Sequence, residues 1–96
     1  MEEIVVDASV VVKWFVAEDL REEALKIRDD YIEGKVRLSA PSLMPFEVLN
    51  AARYARKDIN PRQLEEIAES LALYGVKLHQ LQREYARETI KTALEN

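Results

Sequence analysis

The sequence predicts an α/β domain built on a parallel sheet, and three features predict it. Short Ile/Val-rich or alternating segments occur at 3–7, 36–41 and 76–80. Two stretches with apolar residues at helical spacing separate each segment from the next, and Gly34 and Gly75 stand where such stretches should end. Strands alternating with helices need crossover connections, which are right-handed in parallel sheets.

EIVVD (3–7) is short and β-branched, as suits a strand buried on both faces at the sheet centre. A short helix is expected from Ser9 to about Val16. Asp19 with Glu22 offers a capping box for the next helix, where Leu20, Ala24, Ile27 and Tyr31 recur at helical spacing until Gly34. VRLSAP (36–41) alternates Val36, Leu38 and Ala40 with Arg37 and Ser39, the pattern of a half-covered strand ending before Pro41. Ser42 is placed to cap the third helix, with Pro45 in its first turn and a face of Phe46, Leu49, Ala52 and Arg53 reaching about Lys57. Asn60-Pro61 with Gln63 starts a fourth helix that turns Leu64, Ile67, Ala68 and Leu71 inward. VKLHQ (76–80) is the third strand, and a fifth helix over about 82–95 would gather Ala86, Ile90, Ala93 and Leu94.

With 96 residues, 48% of them hydrophobic and no low-complexity tract, the chain is expected to form a single domain around one core. The absence of Cys excludes disulfides, thiolate catalysis and thiolate zinc sites. No apolar run is long enough to span a bilayer, and Glu2 and Glu3 stand where a secretory signal would carry bases, so a soluble cytoplasmic protein is expected. Abundant Glu, Lys and Arg with few amides would suit a thermophile. The net charge of −4 argues against a non-specific polyanion binder, yet charge is unevenly spread. Residues 18–33 carry seven acids against three bases, whereas Arg53, Arg56, Lys57 and Arg62 face Asp58 alone. This basic cluster reads either as a solvated helix end favoured by the helix dipole or as a surface for a phosphate backbone.

In open parallel sheets ligands bind beyond the carboxyl ends of the strands, where Asp7 ends its apolar segment. Glu47, in the first turns of the helix after the second strand, is expected on the same sheet edge, with Asn50 on its face of the helix. Two acids in apolar surroundings converging on one edge point to a hard cation, Mg²⁺ or Mn²⁺. Each has a plainer explanation: Asp7 as a helix cap, with Ser9 beside it, and Glu47 as compensation for the helix dipole. Ser9 reads first as a cap, Asn50 as a core hydrogen-bonder, His79 as structural or solvated, and Trp14 and Phe15 as core.

IVVDASVVVKWF, LSAPSLMPFEVLNAARY and YGVKLHQLQREYARETIKTAL, in that order and spacing, resemble the first two thirds of PIN domains, especially the VapC-type toxins of toxin–antitoxin pairs. The resemblance implies an incomplete three-layer α/β sandwich of about three strands and five helices. It implies an endoribonuclease dependent on Mg²⁺ or Mn²⁺, with Asp7 and Glu47 as catalytic, metal-binding acids, Ser9 and Asn50 in support, and Arg53, Arg56 and Lys57 on the nucleic acid. A cognate antitoxin and a homodimer or higher oligomer are the implied partners, because a strand that flanks the first one in the family is missing here and strand 3–7 is expected to be an exposed edge open to pairing. PIN domains of this type carry a third acid in a Tyr-Asp-Ala-like motif and often a fourth; both would lie beyond Asn96, so the chain is expected to be a truncated domain with weak or no turnover. The alternative is a catalytically dead PIN fragment serving as a protein-binding or dimerisation module.

Overall fold

The structure, a computed structural model, describes residues 1–80. Three strands, β1 (Glu2–Val5), β2 (Val36–Pro41) and β3 (Lys77–His79), form one parallel sheet in the order β1-β2-β3. Four α-helices connect them: α1 (Ala8–Val11), extended by a 3-10 turn over Val12–Trp14, and α2 (Arg21–Ile32) between β1 and β2, then α3 (Met44–Ala55) and α4 (Pro61–Tyr74) between β2 and β3. The α/β class with a parallel sheet is therefore as the sequence predicts. The fifth expected helix, at about 82–95, lies outside the described residues.

Strand register sorts the sheet into two unlike faces. Ile4, Leu38 and Leu78 share one face with Ala40, because Ile4 pairs with Leu38 and Ala40 with Leu78. Leu38 and Ala40 are buried there against the helices. Val5, Ser39 and Lys77 lie in register on the opposite face, with Glu3, Arg37 and His79 beside them, and all but Ser39 are exposed. The half-covered reading of VRLSAP holds at Arg37, Leu38 and Ala40 but not at Ser39, which is fully buried on the second face. The strand order corrects the expectation that the first strand is central and buried on both faces, since β2 is central and Val5 is 71% exposed, while β1 is, among the described residues, the exposed edge expected of a truncated sheet. Advancing from β1 to β2 to β3 through right-handed crossovers sends every connecting helix to the same face, which leaves the other without cover from α1–α4.

Helix ends follow the sequence at some places and depart at others. Asn60 accepts from the Gln63 amide while the Gln63 side chain accepts from the Asn60 amide, each at 2.9 Å, completing the expected capping box of α4. Gly75, the C-cap of α4, and Gly34, just past α2, both adopt positive φ. The Asp19–Glu22 box does not form, because Leu20 is the residue that precedes α2 and it holds a left-handed backbone with φ of 64°. Ser42 does not cap α3 either: Leu43 at the cap position is already helical, and the Ser42 amide donates to the His79 carbonyl at 2.8 Å. The buried face of α3 is Met44, Val48 and Ala52, about a third of a turn from the expected face of Phe46, Leu49, Ala52 and Arg53, of which Ala52 alone is fully buried.

The core lies between the covered sheet face and the helices. Val11 and Val48 are fully enclosed where α1 packs on α3. Trp14, buried as expected, donates from Nε1 to the Ala24 carbonyl at 3.0 Å and meets the Tyr74 ring edge-on at 5.1 Å. Tyr31 donates its hydroxyl to the Tyr74 carbonyl at 2.7 Å, tying α2 to the end of α4. These contacts fix α1 and α3, and with them the carboxyl edge of the sheet.

Candidate active site

Asp7 stands at the carboxyl end of the first strand segment. The Val6 amide donates to the Ser39 carbonyl at 2.8 Å, continuing the pairing with β2, and the next residue turns into α1. Asp7 has an extended backbone and caps α1, its Oδ1 accepting from the Val10 amide at 3.2 Å and from the Ser9 hydroxyl at 2.5 Å. The Ser9 bond, with smaller help from backbone amides and against a small desolvation cost, holds the Asp7 carboxyl below its ordinary pKa. Both of these donors meet Oδ1. The carboxylate is exposed, so the expectation of an acid set in apolar surroundings is corrected: β1 is an edge strand and the cap faces solvent.

Glu47 follows β2 in the first turn of α3, also exposed. Met44 and Val48 turn into the core while Glu47 lies at the margin of their stripe, about 100° round the helix from its centre, so here too the apolar residues adjacent in sequence do not enclose the acid. Because β1 and β2 are parallel, Asp7 and Glu47 both stand at the carboxyl edge, on elements that pack together. No hydrogen bond joins them, and no group of three or more His, Asp or Glu side chains gathers for a metal among the described residues. Asn50 is exposed on the Glu47 side of α3 and is not a core hydrogen-bonder.

The basic cluster divides. Arg53, in the last turn of α3, and Lys57, just beyond it, are exposed with no carboxylate in ion-pair reach among the described residues. Arg56 is half-buried and reaches Asp58 at 3.5 Å. Tyr54, which the sequence reading passed over, is 90% exposed between them in the chain. Its signal was available: seven residues after Glu47 is two helical turns, so the two share a face. His79 reaches Glu3 at 3.8 Å across the sheet face opposite α1–α4, a contact that sequence spacing does not reveal.

Comparison of the chain with protein-family models, with curated proteins and with solved structures gives no match. The PIN-like reading therefore stands on these residues and this sheet edge alone. Their donor chemistry fits a hard divalent cation, since Mg²⁺ typically keeps several waters and takes one or two protein carboxylates. A thiolate- or imidazole-preferring metal finds no partner set among the described residues. No helix there is long and apolar enough to cross a membrane.

Proposed function

We propose that this domain is a metal-dependent RNA phosphodiesterase of the PIN, VapC-toxin type, with Mg²⁺ or Mn²⁺ held between Asp7 and Glu47. The observation that carries the reading is the placement of these acids at the carboxyl ends of adjacent parallel strands, on the packed pair α1 and α3. Ser9 would keep the Asp7 carboxylate ionised and oriented, and Glu47 would approach from the first turn of α3. A cation held there would lower the pKa of a bound water and stabilise charge on the phosphoryl oxygens. Arg53 and Lys57 would receive the RNA backbone, with Arg56 tied to Asp58. Two carboxylates leave most of the metal shell to water, so turnover by this pair alone is expected to be low. A cognate antitoxin and self-association belong to the same reading.

The test is cleavage of single-stranded RNA by the purified chain with Mn²⁺ at high protein concentration. Slow, chelator-sensitive cleavage that disappears in Asp7→Asn and in Glu47→Gln is expected. Cleavage unaffected by chelator, or by both substitutions, overturns the reading.

A second reading, a PIN-like module that binds protein without turnover, draws on one feature. An apolar groove of about 410 Å³ opens between α3, α4 and β3, with Met44, Phe46, Leu49, Leu71 and Leu78 among its walls. Such grooves receive the apolar face of a partner helix. Absence of any metal-dependent cleavage would favour this reading.

A further inference from the structure

On α3 the exposed face is a continuous row. Glu47, Asn50 and Tyr54 are spaced three and four residues apart, so they stand one above another, with Arg53 flanking Tyr54. All four are exposed, and the stripe of Met44, Val48 and Ala52, about a third of a turn away, is the buried one. Tyr54 is the notable member. A 90% exposed aromatic ring leaves a large apolar face in water and has little burial in the domain.

We propose that Tyr54 is a base-stacking platform for single-stranded RNA, placing a nucleotide that flanks the phosphodiester presented to Asp7 and Glu47. The inference rests on the nuclease reading and adds a substrate-binding residue and a strand preference to it. Tyr54 lies two turns, about 10.5 Å, along α3 from Glu47, too far to touch the same phosphate and close enough to engage a neighbouring base. Side chains on a helix lean toward its N-terminus, so the ring tilts back toward the Glu47 end. Charge complementarity favours a nucleic acid over an apolar peptide: Arg53 and Lys57 bracket Tyr54 in sequence, and neither has an acid in reach among the described residues. An aromatic face between free cations is the pairing that holds single strands, the ring taking a base and the cations its phosphates. A duplex keeps its bases stacked inside and offers the ring no base face.

The experiment measures fluorescence anisotropy of a labelled single-stranded RNA with the full chain in EDTA, so that binding is read without cleavage. Tyr54→Ala should weaken binding about tenfold or more, Tyr54→Phe should restore it, and Arg53→Ala should flatten the salt dependence. Because Tyr54 is 90% exposed and has little burial to lose, the variants should melt close to the wild type. Wild-type-like binding by Tyr54→Ala, failure of Tyr54→Phe to restore binding, or equal sensitivity with duplex RNA would overturn the inference. Mn²⁺-dependent cleavage assayed on the same RNA keeps the two claims apart. Cleavage lost in Asp7→Asn with binding unmoved in Tyr54→Ala sinks stacking alone. Binding that depends on Tyr54, with no Asp7-dependent cleavage, supports the platform and sinks the nuclease reading.

Discussion

The Ser9 hydroxyl donates to Oδ1 of Asp7 at 2.5 Å, so the residue that caps α1 is itself held by the first turn it caps. Capping and metal binding can be separated at this position. Asn accepts the Val10 amide as well as Asp does, whereas Ala does not. Asp7→Ala should therefore destabilise the domain by about 1 kcal/mol and Asp7→Asn by a few tenths, as measured by urea unfolding. Equal losses in both variants would mean that the carboxylate charge, not its acceptor oxygen, stabilises α1.

The same bond sets an acid response. The Asp7 carboxyl is held below its ordinary value of 3.8, chiefly by Ser9. A group depressed by folding contributes stability that is present above its unfolded pKa and lost as pH falls through the folded one. Its contribution is thus intact at neutral pH and fades below about pH 4. Solvent screening keeps it small, because the group is exposed. An NMR titration of the Asp7 side-chain carbon should give a midpoint below 3.8 in the wild type and a higher one in Ser9→Ala. An unmoved midpoint would remove Ser9 from the role assigned to it.

Leu20 enters α2 with φ of 64°, a backbone that costs a residue bearing a Cβ about 1–2 kcal/mol. Its side chain is largely exposed and has little burial to lose. Leu20→Gly should leave stability unchanged or raise it by up to about 1 kcal/mol, despite the entropy that Gly adds to the unfolded chain. A loss of more than 1 kcal/mol in thermal unfolding would show that Leu20 packs more than its exposure indicates.

Trp14 joins three elements through its ring and its N–H. Trp14→Phe keeps an aromatic body but leaves the Ala24 carbonyl without this donor and a space beside Tyr74, so a loss of about 2–3 kcal/mol is expected in chemical denaturation. A loss under 0.5 kcal/mol would contradict the central place given to this ring.

Much of this fold was legible because its punctuation is local. Gly34, Gly75 and the Asn60–Gln63 box act within a few residues, and alternation in VRLSAP shows which face of β2 is covered. Exposure of the acids was not legible in the same way. Asp7 and Glu47 have apolar neighbours in sequence, but whether those neighbours surround them depends on which strand is central and which side of α3 turns inward. β1 is at an edge, and α3 buries Met44 and Val48 while Phe46 is 66% exposed. Leu20, expected at helical spacing with Ala24 and Ile27, instead precedes α2 and is exposed, because no side-chain preference announces a left-handed Leu. The place of Tyr54 on the row of Glu47 and Asn50 was legible from spacing, but its exposure was not, because that depends on Met44, Val48 and Ala52 being the buried stripe of α3.

Paramagnetic broadening by Mn²⁺ most directly tests whether Asp7 and Glu47 share one cation. In amide NMR spectra of the chain titrated with Mn²⁺, signals from 7–10 and from 44–48 should broaden together at the same metal concentration. Asp7→Asn or Glu47→Gln alone should abolish both effects. Broadening at one segment that survives loss of the other acid would show two separate surface sites and contradict the shared site.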